Sequence, residues 1–585
     1  MTGFRASLPF ALAAISSAAP PGYTEPSACR PCHQAIFDRY AATPMGRSFY
    51  LPDPKRDVAA WNNATFHHKA SNQHFEMFRR DGKPFVRRFR IENGRRADLL
   101  EREVTHVMGS GERAVSLLHQ TPEGRIYELP VAWYSQEKAW AMAPGYDRPH
   151  HAGFSRQVNH KCMFCHNAYV DVPPQTARTG WDADVLFPRN LPLGIDCQRC
   201  HGPGARHAAT KSPSDIIHPG KLSPQRSLEV CMQCHYETTT FRLPESYRRF
   251  GRPFYSYRPG EPLGDYIVHF DHAPGTGHEE KFEIVSAAYR LFQSRCFSES
   301  AGRMTCLTCH SPHGERPRTA DRCAGCHPSV SRHAAGTSGD CVSCHMPRRR
   351  TEDVVHVVMT DHKISRRPPP GDLVAPRREK TEAEQTYRGE VVQVYPPPRP
   401  EDRIYTGIAQ VKEGANLEAG IRILEATLNR TPLSVPEPYF ELGDALRVAG
   451  RVTDAVHAYR KALAADPAFP QAWNNLANVL ADAGKTADAV DAYRQAIRLT
   501  PWDSEYHVNL GLTFLGAGRI AEARAAMVAA VRANPWSADA HANLGAVLLS
   551  IGEYAAARAE LEEALAIEPG HVRARANLAL AKREK

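Results

Sequence analysis

Seven times this chain spells Cys-x-x-Cys-His: at Cys29, Cys32 and His33; Cys162, Cys165 and His166; Cys197, Cys200 and His201; Cys231, Cys234 and His235; Cys306, Cys309 and His310; Cys323, Cys326 and His327; and Cys341, Cys344 and His345. At this composition chance supplies on the order of 0.02 copies, so the motif organises the chain. Three chemistries use two cysteines spaced in this way. A zinc site takes such elements in pairs and does not need a histidine directly after the second cysteine. A redox dithiol occurs once, beside a βαβ pattern. Covalent c-type haem accounts for every residue of the motif: two thiols add to the vinyl groups of one porphyrin, and the adjoining histidine is the proximal iron ligand. The expectation is therefore seven covalent c-type haems on fourteen of the fifteen cysteines, with Cys296 left over.

A chain of 585 residues is too long for one core, so several domains are expected. Seven apolar porphyrins replace much of a conventional aliphatic core. They also alter the charge account. The formal net charge is +9, but a six-coordinate ferric haem with ionised propionates carries about one negative charge, which offsets most of it. The basic balance thus implies no nucleic-acid partner. Arg-rich stretches at 87–96 and 348–350 are expected to pair with propionates or face solvent, or else to dock an acidic partner. Residues 1–19 read as a signal peptide: Arg5 precedes a mostly apolar run, and Ser16-Ser17-Ala18 offers a cleavage site. Covalent haem is attached outside the cytoplasm, so a periplasmic or extracellular location is expected. No later run reaches the ~18 apolar residues of a membrane span.

The spacing of the cysteines divides the chain. Residues 20–59 form a first haem-binding segment. The interval 60–148 lacks cysteine and carries strand-like runs at 72–78, 84–91, 103–108, 114–118 and 125–133, with Asp81-Gly82 as a hairpin signal. It is expected as a β-rich insertion. Residues 149–362 are expected as a mainly α and irregular multihaem domain with short helices between motifs. Triple prolines at 368–370 and 396–398 mark 363–403 as a linker, with one strand-like piece at 390–395. Beyond it, Gly450, Gly484, Gly518 and Gly552 recur every 34 residues, as do Pro467, Pro501, Pro535 and Pro569. That is the tetratricopeptide period, so 404–585 is expected to be an all-α solenoid with a degenerate first repeat and a C-terminal cap. His457, His507, His541 and His571 fall within it and are read as packing or surface residues.

A second axial ligand decides what each haem does: a filled position suits electron transfer, and an open one lets substrate bind. Outside the motifs and repeats stand seventeen further histidines, enough for bis-histidine ligation throughout. His207 follows His201 across Gly202-Pro203-Gly204, which aims it at a neighbouring haem. His313 lies too near His310 to reach the far face of its own haem, so it is assigned to another. His160, His356 and His362 are the other favoured candidates; His68, His106, His218, His269, His272, His278 and His333 form a weaker set.

The stretches CQRCHGPGARH, CLTCHSPHG and CVSCHMP resemble the multihaem cytochromes of the cytochrome c-554 and hydroxylamine oxidoreductase group. The resemblance covers the haem-dense half and implies that His207 and His313 are distal ligands. Joined to tetratricopeptide repeats, it is similar to bacterial proteins that combine the two. There are two departures. Where relatives place a ligating histidine after the first motif, this chain has Met45, which as a ligand would raise that haem's potential. Cys296 stands in a similar context before the fifth motif; a tuning thiolate, an inert buried thiol and an intermolecular bridge all remain open. The Cys-x-x-Cys-Lys motif of related nitrite reductases is absent. The expected function is electron transfer along a haem chain. The solenoid would dock a redox protein partner, and assembly into a larger redox complex is an extension of that reading. The alternative is a multihaem oxidoreductase acting on a small nitrogen or sulfur compound at an open haem.

Overall fold

The chain enters its sheets at β1 (Phe49–Tyr50) and then folds into a four-stranded meander, β2 (Ala64–His68), β3 (Gln73–Arg80), β4 (Lys83–Glu92) and β5 (Arg95–Glu103). It returns to lay β6 (His106–Met108), β7 (Ala114–Gln120), β8 (Ile126–Tyr134) and β9 (Ala139–Met142) beside β1, in the order β1-β6-β7-β8-β9. All neighbours are antiparallel. This is a computed structural model; it describes residues 21–55, 57–170, 184–239, 243–315, 319–327, 341–367 and 369–583. The expected signal peptide at 1–19 and His333 lie outside them. Asp81 and Gly82 take φ values of +51° and +77°, as a two-residue hairpin turn requires. The two sheets share one apolar core: Phe75, Met77, Val86 and Leu100 from the first meet Val115, Leu117, Leu129 and Val131 from the second. Alternation along β3 and β4 explains why, because every second side chain turns inward.

The arginine-rich stretches also make ion pairs within the chain. Arg87 bonds Glu76 and Glu101 at 2.9 Å, Arg96 bonds Glu76, and Arg80 bonds Glu101. These pairs link β3, β4 and β5 across the sheet. Arg349 stands beside Asp361, and Arg350 beside Glu137. These partners are carboxylates of the chain itself. The same pairing forms β5, whose run of charges carries no strand-like pattern.

From residue 160 onward the helices carry the motifs. His160–His166, Pro224–His235 and Cys341–His345 each contain both cysteines and the histidine of one motif; Gln198–His201 and Thr319–Cys326 contain most of one. Short helices lie between motifs as well, at Ala205–Thr210, Ala287–Phe292 and Arg295–Glu299, and the fifth motif carries only the 3-10 turn Cys306–Thr308. Positions i, i+3 and i+4 lie on one face of a helical turn, so helicity aligns the two thiols and the imidazole.

Within 363–403, the strand-like piece expected at 390–395 to dock on a neighbour forms β12 (Val391–Tyr395) and pairs with β11 (Ile267–His272), which also pairs with β10 (Ser246–Arg248). Val391 and Tyr387 are buried in the core that continues through Val268, Phe270 and Ile404 into the solenoid. The solenoid runs as helical hairpins from Arg403–Val411 to Tyr554–Ile567, closed by Val572–Ala581. The four 34-spaced glycines have φ from +71° to +78° and turn the chain between paired helices. No helix among the described residues is long and apolar enough to cross a membrane.

The solenoid's inter-repeat edge closes against the β sandwich. Trp536 stacks on Tyr127 at 5.3 Å, and the Arg102 guanidinium lies 3.8 Å from its ring centre. Tyr127 donates to Asn534 Oδ1 at 3.0 Å, and Arg88 donates to the Ala566 carbonyl at 2.6 Å. Gly153, at φ +58°, passes so close to Ile567 that a Cβ would stand 2.5 Å from its carbonyl oxygen. Arg125 donates to the Trp502 carbonyl and is held by Asp184.

Two stability predictions follow from these contacts. Arg125 is 1% exposed and forks onto Asp184. Asp184→Ala therefore leaves a buried uncompensated charge and should cost about 3–5 kcal/mol, read as a lower urea midpoint. His151 is buried, accepts from Gly153 N–H at 3.1 Å, and is pushed down to about 3 by burial. Below the unfolded pKa of about 6.5 the unfolded chain takes up a proton that the folded His151 refuses, so its contribution falls as pH drops, by about 2 kcal/mol between pH 7 and 5. Urea titrations of His151→Gln across that window should show a shallower pH slope than wild type.

Candidate functional site

The motif helices converge. The Cys29 thiol lies against Cys197, Cys165 against Cys234, Cys231 against Cys306, and Cys323 against Cys341. Cys200 also neighbours Cys234, and Cys309 neighbours Cys326. Numbered by position along the chain, the motifs thus connect as 1–3–4–5–6–7, with motif 2 attached at motif 4. Backbone contacts agree: Thr24 N–H of the first segment donates to Gln198 Oε1 of the third motif at 3.0 Å, and Gln233 of the fourth donates to the Arg199 carbonyl at 3.1 Å.

Three motif histidines face a second imidazole across a gap. His33 and His207 have ring centres 6.1 Å apart and 20° from parallel. His201 and His313 are 5.9 Å apart at 8°, and His310 and His362 are 6.0 Å apart at 31°. The rings of His272 and His278 stand closer, stacked at 3.8 Å. Two metal–nitrogen bonds of about 2.0–2.1 Å plus the half-depth of each ring give about 6 Å, so the gap suits one metal ion. In each pair one Nδ1 is bonded to a backbone carbonyl: His207 to Ser212 at 2.8 Å, His201 to Ile217 at 2.8 Å, and His362 to Thr360 at 3.2 Å. That bond fixes the tautomer and leaves Nε2 as the ligating nitrogen. His166 and His345 bond the carbonyls of Ser48 and Ser365 in the same way. Burial pushes His166, His201, His235 and His310 down, and His362 to about 4, keeping them in the neutral form that binds metal.

His160 and His269 are buried, and neither ring nitrogen of either has a hydrogen-bond partner. His160 packs on Phe254 and Phe187, and His269 on the Tyr236 edge directly after the fourth motif. Burial pushes both down to about 3. A buried imidazole without partners costs free energy unless a ligand takes its nitrogen. His269 belonged to the weaker set in the sequence; no local spacing distinguishes it, because it lies on β11, away from any motif.

The remaining candidates have other surroundings. His356 bonds the Glu137 carboxylate at 2.9 Å and packs on Tyr134. Met45 is half-buried in the turn before β1, and its carbonyl accepts from Ser48 and Ile195 N–H. Cys296, in the helix Arg295–Glu299, is half-buried, and burial pushes its thiol up. His327 follows its helix at an exposed position. No group of three or more His, Cys, Asp or Glu side chains could hold a metal ion among the described residues. Zinc clusters are therefore not formed there, whereas a haem iron asks the protein for only two axial nitrogens. The paired imidazoles, the orphaned His160 and His269 and the aligned thiols together fit haem.

Comparison with known proteins separates the two halves. The tetratricopeptide repeat family model matches residues 440–503 and 508–581. Those residues are tetratricopeptide repeats. The chain is also 25% identical over 196 residues to the multiheme cytochrome MtrA of Shewanella baltica (strain OS185), covering 30% of this chain. It spans only about half of that relative's length, 56%. Among solved structures, a MamA protein is 30% identical over 26% of this chain and 81% of its own, with a TM-score of 0.24. PilF of Pseudomonas aeruginosa is 22% identical over 31% of this chain and 87% of its own, with a TM-score of 0.27.

Proposed function

We propose that this protein is an exported heptahaem c-type cytochrome that passes single electrons along its haems, and that its repeats dock a redox partner. The observation that carries this reading is the set of three imidazole pairs held apart by a metal-sized gap. On this reading the seven cysteine pairs hold seven macrocycles. His33 with His207, His201 with His313, and His310 with His362 would hold three of the irons. His160 and His269 are available to others. Haem iron supplies one-electron redox chemistry.

The chain's own residues do the rest. The carbonyls of Ser212, Ile217 and Thr360 hold Nδ1–H and so fix each imidazole plane. Phe254, Phe187 and Tyr236 exclude water around the buried histidines. The adjacency of motifs lays out a path from motif 1 through 3, 4, 5 and 6 to 7, with motif 2 as a side branch. Two filled axial positions favour electron transfer over substrate binding. The repeats support partner docking, because such arrays present extended surfaces for other proteins. The thiol contacts between motifs would also suit disulfides, but disulfides leave the seven adjoining histidines without a role.

The mature holoprotein should exceed its polypeptide mass by seven macrocycles, measured by intact mass spectrometry. A mass lower by a few protons, as disulfides give, would overturn the reading. His207→Ala and His362→Ala should each convert one low-spin ferric signal of the seven to high-spin in low-temperature electron paramagnetic resonance. Spectra unchanged from wild type at full haem load would remove these pairs as ligands.

A further inference from the structure

Arg199 occupies the second variable position of the third motif and is 1% exposed. Its Nη2 donates to the Phe164 carbonyl of the second motif at 2.8 Å and lies 3.8 Å from Cys234 Sγ of the fourth. Nε and Nη1 have no hydrogen-bond partner. Three aromatic rings surround the guanidinium: Phe164 at 4.4 Å, Tyr169 at 5.0 Å and Tyr255 at 5.5 Å. A second cation lies behind them. Arg258 stands 4.9 Å from Tyr23 and 5.7 Å from Tyr169, and donates to the Tyr255 carbonyl at 2.9 Å.

This arrangement lacks the usual counter-charge. Three other buried arginines have one: Arg125 has Asp184, Arg290 has Asp361, and Arg249 has Asp402. The carboxylate nearest in sequence, Asp196, is engaged elsewhere, accepting from the Arg199 backbone N–H at 3.1 Å and from Gln198 Nε2 at 2.9 Å. Among the described residues no carboxylate pairs with Arg199 or Arg258. The cysteines beside Arg199 become neutral thioethers once macrocycles are attached, so they supply no charge either. A buried guanidinium without a carboxylate is costly, and aromatic faces and one carbonyl offset only part of that cost. The backbone is strained in the same place: Tyr255 is held at φ +60°, a conformation that bulky residues avoid. Such strain clusters at functional sites.

A fixed positive charge in a poorly polarisable surrounding stabilises any added electron nearby, and salt does not screen it. Arg199 touches the polypeptide of motifs 2, 3 and 4 together. We propose that Arg199, supported by Arg258, makes the haems of motifs 2, 3 and 4 an electron-collecting node, the most easily reduced part of the relay. The proposal rests on the heptahaem reading. The step is a single electron transfer: an adjacent ferrous haem, at motif 1 or 5, is oxidised to ferric, and a ferric haem of the node is reduced to ferrous. No bond is made or broken and no proton moves. Arg199 is a positioning residue for charge and contacts no reacting atom.

The test is an optical redox titration of the holoprotein and its Arg199→Gln and Arg199→Lys variants at one pH, in low and high salt. In Arg199→Gln the most positive three-sevenths of the haem absorbance change should shift to lower potential in both salts. The remaining four-sevenths should stay in place, and Arg199→Lys should track wild type. A haem load of seven with a titration superimposable on wild type overturns the node while leaving the cytochrome reading intact. Absence of haem from the wild type overturns the cytochrome reading itself. Should Arg199→Gln fail to load haem, Arg258→Gln, at a half-exposed position, should shift the same fraction in the same direction, and no shift there also overturns the proposal.

Discussion

The spacing of a single helical turn governs the cytochrome-like half of this molecule. Two thiols and an imidazole at i, i+3 and i+4 share one face wherever a motif is helical. Helices such as His160–His166 and Cys341–His345 are too short to be stable alone in water. They hold their form through contacts with one another, thiol against thiol and carbonyl against guanidinium. The local geometry therefore depends on the packing. Within that packing His160 and His269 are exceptions, because a folded protein normally satisfies its buried nitrogens and theirs have no partner.

A different physics builds the other half. The sandwich and the solenoid are conventional apolar cores, one with period two and the other with a 34-residue repeat. Charged side chains add to them where they can pair, as Glu76 and Glu101 do with Arg87. Buried Arg125, Arg290 and Arg249 pair with carboxylates in the same way, whereas Arg199 has no carboxylate among the described residues.

The parts that sequence disclosed and the parts it hid divide along physical lines. The motifs were legible because their chemistry is local. The repeats were legible because every inter-repeat interface makes the same demand, so Gly450, Gly484, Gly518 and Gly552 recur in phase. The β3–β4 hairpin showed through Asp81-Gly82. The imidazole pairs were only partly legible. His207 and His313 stood out through their neighbours, but nothing local says that His207 meets His33, or that His313 meets His201, more than a hundred residues away. His269 was hidden for the same reason. β5 was hidden because its charges are neutralised across strands, a fact visible only once β3 and β4 lie beside it. In the proline-rich segment 363–403 the docking strand at 390–395 was legible, whereas the burial of Tyr387 beside Val391 was not.

Trp536 sits between a tyrosine and a guanidinium of the sandwich, and this has a mechanical consequence. An arm joined by a swivel would have to surrender its freedom each time it captured something, and that loss would weaken the grip. Here the freedom has already been given up during folding. Whatever settles on the repeats meets a surface whose bearing toward the rest of the molecule is set in advance, so each encounter repeats the same approach.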